Sequence, residues 1–490
     1  MKKFSKVLVM ALAAVVLLAG CKKQSSEKKI LTFKFAAPAV EATISESAKT
    51  IVAVVPFGTN LTGLVPIITI SDKATVVPAS GTVVDFTNPV DFTVTAEDGS
   101  KVVYKATVTV DPNGGGGGGS DTPTNLPGTI SANTTWPDLG LDVDYIVDGW
   151  LDIDGNALVT VEPGVTIMFT GTNGRINVGE NAGLKMVGTA EKPIRFVGPL
   201  NNPNPGAWDK VYVGSNRNDN QFEYVEFVNG GSDDMVVSVE GKLSMMHCTI
   251  DGSLHNGVAA GGDSHFIDFE NNTIKNCGEY PVVLYNAAKV GSLESGNRYI
   301  NNTSNMIAVD YHWLENTTNF NNQGIPYYLR DGLFVEENVK MTIEAGVEFV
   351  FDYEHDFVVS EAARFEANGT ESQPIVFRGK TTEDLWYGIL FYSNRDGNVM
   401  NYCQIKNCGF NIDYRSCLYI GCNARLSLTN NVFGPSLYNG VAIECIENWG
   451  NMNHSGNTFV NCMGGNVWLQ YGGYYDGVEY EGDEILVDLP

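Results

Sequence analysis

Asn271-Asn272-Thr273-Ile274-Lys275-Asn276-Cys277 returns near the end of the chain as Gly456-Asn457-Thr458-Phe459-Val460-Asn461-Cys462, and the spacing of such strings decides the fold. Each string holds one strand-like apolar anchor. Phe227, Ile250, Ile274 and Ile300 follow one another at 23, 24 and 26 residues, and Ile405, Phe433 and Phe459 at 28 and 26. A regular period of this length is the signature of a solenoid, in which each coil buries its apolar side only against its neighbours. Two positions after the anchor stands Asn229, Asn276, Asn302, Asn407 or Asn461. Asparagine tolerates the left-handed backbone of a turn, and stacked amides can hydrogen-bond along the axis, so an asparagine ladder is expected there. Leucine-rich repeats share such periods, but their LxxLxL signature does not occur.

A coarser repeat lies over the fine one. Val159-Thr160-Val161-Glu162-Pro163-Gly164-Val165 matches Met341-Thr342-Ile343-Glu344-Ala345-Gly346-Val347 at an offset of 182. Gly188-Thr189-Ala190-Glu191-Lys192-Pro193-Ile194 matches Gly369-Thr370-Glu371-Ser372-Gln373-Pro374-Ile375 at 181. Ser215-Asn216-Arg217 recurs as Ser393-Asn394-Arg395, and Asn256-Gly257-Val258-Ala259 as Asn439-Gly440-Val441-Ala442. Four ordered matches at nearly constant offset predict two copies of one unit, 126–325 and 326–490. The run Gly114–Gly119 cannot pack a core, so 112–125 reads as a flexible linker. Before it, 30–111 carries β-rich runs at Leu31–Phe35, Thr50–Val55, Pro66–Ile70, Asp91–Thr95 and Val102–Val110, which predict a small β-sandwich.

The first residues address the compartment. Lys2, Lys3 and Lys6 precede a wholly apolar run of 12 residues, Val7–Leu18, too short to span a bilayer and the right length for a signal-peptide core. Leu18-Ala19-Gly20-Cys21 resembles the lipobox of bacterial lipoproteins. The resemblance implies a signal peptide over 1–20, acylation of Cys21, and a membrane partner reached through the lipid. Acyl burial at about 0.8 kcal/mol per CH₂ makes a multiply acylated anchor stable. An ordinary secretory signal with an incidental cysteine is the alternative. Residues 21–29 then form a polar tether whose single acid is Glu27. An outer-membrane lipoprotein exposed at the cell surface is expected, with the periplasmic face as the alternative.

Charge narrows the partners. Lys and Arg total 31 against 57 Asp and Glu, a net charge of −26. Nucleic acid, which needs a basic surface, is excluded as a partner, and bare polyanionic glycans are disfavoured unless a cation bridges them. Of nine cysteines, eight remain after Cys21. Most follow the coil period, Cys277, Cys408 and Cys462 three positions after the anchor and Cys248 and Cys403 two before it. Buried stacked thiols are the leading reading, with one or two disulfides the alternative.

Two further resemblances bear on fold. Ile51–Pro56, Asp85–Val90 and Thr93–Ser100 are similar to the immunoglobulin-like domain of unknown function near the anchor of many Gram-negative surface lipoproteins, which implies a spacer. The strings quoted above, with Glu162-Pro163-Gly164-Val165-Thr166-Ile167, resemble the right-handed parallel β-helix of the pectin-lyase-like superfamily. The chain is therefore expected to be all-β: a small Ig-like β-sandwich followed by a right-handed parallel β-helix made of two duplicated halves. That superfamily includes polysaccharide lyases, glycosidases and plain surface proteins, so it does not fix activity.

Three constellations are candidates for chemistry. Asp142, Asp144, Asp148, Asp152 and Asp154 precede Gly155-Asn156, and such a density of hard oxygens can hold Ca²⁺, with Asp152 and Asp154 as metal ligands; a solvated cap is the alternative. Asp352, Glu354 and Asp356 alternate, which in an extended segment places three carboxylates on one face, as catalysis would need; a polar turn is the alternative. Tyr311, His312 and Trp313 lie between the copies, where an aromatic ledge suits sugar stacking; the alternative is that Tyr311 and Trp313 face the core. Trp208 and Trp386 are assigned to packing. The leading expectation is a non-catalytic lipoprotein that binds a poly- or oligosaccharide or another extracellular polymer. A polysaccharide lyase or glycoside hydrolase and a structural adhesin are the alternatives.

Overall fold

The computed structural model describes residues 23–36, 39–55, 59, 61–110, 122–383, 385–411, 413–445, 452–471, 473–475, 478–482 and 484–486. The expected signal peptide, Cys21 and the glycine run lie outside them. The chain forms two compact units, Met1–Gly119 and Ser120–Pro490.

In the first unit, strands Ala39–Glu41, Ile30–Ala36 and Pro66–Ile70 form one sheet. Thr43–Ser45, Thr50–Val55, Lys101–Val110, Val90–Thr95 and Thr75–Val77 form the other. Alternating residues of both sheets meet in a core of Phe33, Phe35, Phe86, Phe92 and Tyr104, where Phe33 packs edge-on to Phe92 at 5.2 Å. Part of the expected tether belongs to this unit. Ser25 donates its N–H to Glu97 Oε2 at 2.9 Å, Asp98 N–H donates to the Ser25 carbonyl at 3.1 Å, and Lys29 N–H donates to Ser71 Oγ at 2.9 Å.

The second unit is a parallel β-solenoid. One sheet of 14 strands runs its length, from Thr129–Ile130 to Thr458–Phe459. Copy one adds an eight-stranded and a six-stranded sheet, and copy two another eight- and six-stranded pair, so each coil has three faces. Between them the short 3₁₀ helix Ala287–Ser292 replaces a strand, capped by the Asn286 side chain, which accepts from Ala288 N–H at 2.8 Å. The interior is continuous and dry, with a row of stacked aromatics. Trp208 stacks on Phe169 at 4.6 Å and Trp386 on Phe351 at 4.1 Å, each indole N–H closing on a backbone carbonyl, of Val228 and Lys406.

The duplication carries a rotation. The strand opening at Ile194 lies in copy one's eight-stranded sheet, yet its counterpart at Ile375 lies in the long sheet. The strand opening at Asn256 lies in the long sheet, and its counterpart at Asn439 in copy two's eight-stranded sheet. Copy two is therefore turned by one face about the solenoid axis relative to copy one.

Three expectations need correction. Ile274 pairs with Tyr299, not Ile300, and Tyr299 is the buried residue; a one-residue slip moves a side chain to the opposite face. The turn asparagine of that coil is accordingly Asn301, at φ 54°, alongside Asn229, Asn276, Asn407 and Asn461 at φ 52–58°. These residues supply left-handed backbone, but the stacked ladder is elsewhere, two positions before the anchor. There Cys248 N–H donates to Asn272 Oδ1 at 2.9 Å and Asn272 N–H to Asn297 Oδ1 at 3.0 Å. Copy two repeats this with Cys403 N–H on Asn431 Oδ1 at 2.8 Å and Asn431 N–H on Asn457 Oδ1 at 3.0 Å. The ladder sits just inside the corner, where water cannot satisfy the backbone and an amide must.

The cysteines divide evenly. Cys248, Cys277 and Cys403 are buried free thiols and Cys462 a half-buried one, whereas Cys408–Cys417 and Cys422–Cys445 are disulfides. The thiols keep the coil period without touching one another; in the column Cys408, Ser436, Cys462 a serine separates the two sulfurs.

Candidate functional site

On the outer face of copy two's eight-stranded sheet, one residue per coil falls into a single row. Trp313 pairs with Phe334, Phe334 with Val358, Val358 with Leu390, Leu390 with Tyr419, Tyr419 with Ala442 and Ala442 with Trp468. Side chains alternate along a strand, so this row points away from the core, which its neighbours Leu314, Val335, Val359, Phe391 and Ile420 fill. Leu390, Tyr419, Ala442 and Trp468 are nevertheless buried in a second, smaller cluster, and only Trp313, Phe334 and Val358 are partly exposed. Trp313 and Phe334 rings are 4.4 Å apart, Tyr414 meets Tyr419 edge-on at 4.7 Å, and Tyr392 lies 5.9 Å from Tyr419. The Arg415 guanidinium stands 5.5 Å from the Trp468 ring centre.

A groove of about 500 Å³ opens along this row over Phe334, Val358 and Tyr392, rimmed by Ser360, Glu361, Asn423 and Glu444. Gly421 makes the floor: a Cβ there would come within 2.8 Å of the Tyr392 ring. Burial pushes the Tyr392 and Tyr419 phenols up, so both remain hydroxyl donors, and Tyr419 donates to Gln470 Oε1 at 2.9 Å. Both disulfides belong to the coil that carries Tyr419. Cys417 lies within its strand Ser416–Ile420 and is tied to Cys408, while Cys422 just beyond it lines the groove and is tied to Cys445. The platform is thus cross-linked on both sides, which holds its side chains in place before any ligand arrives.

The sequence candidates map onto this face unevenly. Trp313 heads the row, half-buried and outward; Tyr311 is 44% exposed, and the His312 ring lies 6.2 Å from Tyr311 and 5.1 Å from Trp313. The three carboxylates do not share a face, because the strand ends at Phe351 and 352–355 make a turn with Glu354 at φ 63°. Asp352 accepts a 2.5 Å bond from Tyr328 OH, whose oxygen also receives Lys380 Nζ at 2.7 Å. Glu354 is exposed. Asp356 opens the next strand, and burial raises its carboxyl pKa, offset in part by His355 and His312. By strand register His312 and Asp356 lie at the same end of their strands, two coils apart, 44 residues apart in sequence.

The acidic N-terminal segment disperses. Asp144 accepts the N–H groups of Leu139, Leu141 and Thr166, Asp148 accepts Thr170 Oγ1, and Asp152 accepts Asn177 Nδ2 at 2.7 Å. Asp154 is exposed in a turn. Among the described residues no three His, Cys, Asp or Glu side chains are grouped as metal ligands would be, and Asp152 is engaged by Asn177 while Asp154 faces solvent. Sequence reasoning nominated Trp313 and did not reach Phe334, Tyr392, Tyr419 and Trp468. Their separations vary with the corner loops, and only strand register brings them into line.

Residues 30–110 match the family model described as SGBP, N-terminal. The match covers the first unit alone and none of the solenoid. No curated protein matches the chain. Among solved structures, it is similar to a Bacteroides thetaiotaomicron protein provisionally described as a glycoside hydrolase, with 33% identity over 19% of this chain and a TM-score of 0.17. The chain spans 28% of that protein's length. It is also similar to a provisionally described secreted protein of Bacteroides fragilis, at 19% identity over 18% of this chain and 97% of that one, with a TM-score of 0.14.

Proposed function

We propose that this protein is an outer-membrane lipoprotein, anchored through Cys21, that binds an extracellular glycan without cleaving it. The sandwich over 30–111 acts as the spacer, and the groove on copy two's eight-stranded sheet is the binding face. The observation that carries the reading is the outward row from Trp313 to Trp468, with half-exposed rings at one end and hydroxyl, carboxylate and amide groups on its rim. A sugar ring presents an apolar face of C–H bonds and an edge of hydroxyls. Aromatic faces take the first, and Ser360, Glu361, Asn423 and Glu444 suit the second. Phe334, Val358 and Glu444 stand on strands, and Ser360, Glu361 and Tyr392 follow directly on strand ends, which limits the ordering entropy that binding costs.

The test is calorimetry with a panel of neutral and acidic oligosaccharides. Each stacked ring contributes about 0.5–1.5 kcal/mol, so Trp313→Ala and Phe334→Ala are each expected to weaken binding roughly 2- to 10-fold while the melting temperature changes little. A ring that served the core would instead cost about 3–5 kcal/mol of stability. The wild-type protein should release no reducing ends and no unsaturated products from the same panel. Turnover abolished at Asp352, Glu354 or Asp356 would replace the binding reading with an enzyme. Unchanged affinity in both aromatic variants would move the site elsewhere.

A further inference from the structure

The rotation between the copies has a counterpart on the surface. The face of copy one equivalent to the aromatic row lies on the long sheet, where Asp152, Asn177, Tyr212, Ser238, Ala259 and Val283 stack in register. Position for position these correspond to Phe334, Val358, Leu390, Tyr419, Ala442 and Trp468. The equivalent face is again concave: a trough of about 470 Å³ lies over Tyr212 and Ser238, walled by Arg175 and Lys210 on one side and Glu240 and Tyr285 on the other. We infer that this trough is a second carbohydrate site, chemically distinct from the first, that takes an uncharged, hydroxyl-rich oligosaccharide. The inference rests on the solenoid being a glycan binder and adds a site, a ligand class and a stoichiometry.

The ligand class follows from how the trough's charges are spent. Lys210 Nζ is 3.2 Å from Asp233 Oδ2, and the Arg175 guanidinium stacks 3.9 Å over the Trp150 ring. Asp209, only 5% exposed, has one carboxylate oxygen 4.0 Å from Arg175 Nη1 and the other 3.7 Å from Lys210 Nζ, both beyond hydrogen-bond reach. Lys210 is therefore paired within the protein, and Arg175 is held against Trp150 with Asp209 as its nearest carboxylate. Asp234 and Glu240 also line the trough, and neither forms an ion pair among the described residues. Glu240 is laid over Gly261, where a Cβ would come within 1.9 Å of its carboxylate, so the wall is built around that acid. An anionic polymer would meet two carboxylates without ion-pair partners among the described residues, beside two cations that the protein already engages. Sugar hydroxyls, which donate to carboxylates and accept from the Tyr285 phenol, meet complementary groups. Burial and the nearby Asp234 raise the pKa of Tyr285, which keeps it a donor.

Because the equivalent faces lie on different sheets, one straight glycan chain cannot occupy both. The two sites engage separate chains or separate segments, so binding to a polymer gains from effective concentration. The experiment is titration of the full chain with neutral gluco-, manno- and xylo-oligosaccharides, with oligogalacturonate as the acidic control, read by native mass spectrometry and calorimetry. Two equivalents of a neutral oligosaccharide are expected. The double variant Glu240→Gln, Tyr285→Ala should lose one equivalent with an unchanged melting temperature, and Phe334→Ala should weaken only the other. A single equivalent, weakened by Phe334→Ala and indifferent to the trough variants, overturns this inference and leaves the proposed function standing. Preference for oligogalacturonate in the trough overturns the ligand class, and failure of every oligosaccharide to bind overturns both readings.

Discussion

Asn431→Ala is the sharpest probe of how the coils are held in register. The Asn431 side chain is fully buried, and its Oδ1 accepts Cys403 N–H at 2.8 Å while its Nδ2 donates to the Met400 carbonyl at 2.9 Å. Alanine removes both partners and leaves a buried donor and a buried acceptor unsatisfied, at about 1–3 kcal/mol each. The expected loss is therefore about 2–6 kcal/mol. Asn407→Ala is the control. That residue lies at the surface turn with φ 53°, and its side chain makes only a 3.4 Å bond to the Thr381 carbonyl. Its loss should cost about 1 kcal/mol, most of it the left-handed backbone that alanine adopts reluctantly. Urea unfolding followed by fluorescence compares the two midpoints, provided the slopes match wild type. If Asn407→Ala destabilises as much as Asn431→Ala, the buried ladder is not what ties one coil to the next, and the assignment of the two asparagine positions is wrong.

Two further outcomes are expected. Alkylation of the unreduced, denatured protein should label Cys248, Cys277, Cys403 and Cys462, whereas the folded protein should react readily only at Cys462; any other pairing refutes the cysteine assignment. Burial pushes the Cys248 and Cys277 thiols up to about 12, so above pH 9 the unfolded chain sheds protons that the folded one keeps, and stability should fall between pH 9 and 12, on the order of 1 kcal/mol per thiol by pH 10. Alkaline unfolding that is the same in a Cys248→Ala, Cys277→Ala variant would contradict this. Cys21→Ser should yield unprocessed or soluble protein; a variant still acylated by mass spectrometry would refute the lipobox reading.

Strands and their period are legible from the sequence because they follow from one-dimensional pattern. The runs Thr50–Val55 and Pro66–Ile70 coincide with observed strands, and the anchors Phe227, Ile250 and Ile274 pair in register. The errors arise where pattern alone cannot choose a face. Tyr299 and Ile300 are both apolar and adjacent, and nothing local says which points inward. Asp352, Glu354 and Asp356 alternate as a strand would, but the left-handed backbone at Glu354 breaks the segment into a turn. The aromatic row escapes for a different reason. Phe334, Val358, Leu390 and Tyr419 are separated by 24, 32 and 29 residues, since corner loops differ in length while strand pairing does not.

The two copies show where such a protein is free to change. Their interiors agree in detail: Trp208 and Trp386 stack on equivalent phenylalanines, and Asn220 and Asn398 each accept a strand N–H, from Leu184 and Phe365. A close-packed core penalises a change of volume at any of these positions by kilocalories, so duplicated coils hold them alike. Outward positions are held less tightly: Ala259 and Val283, and Leu390, Tyr419, Ala442 and Trp468, pack in small clusters of their own, while the rest are partly exposed. There Asp152 stands against Phe334, Asn177 against Val358 and Ser238 against Tyr419, with the backbone pairing unaltered. The chemistry of this solenoid is therefore to be sought in what its halves do not share. By that criterion the aromatic groove and the polar trough, equivalent in place and opposite in character, are the two surfaces to test first.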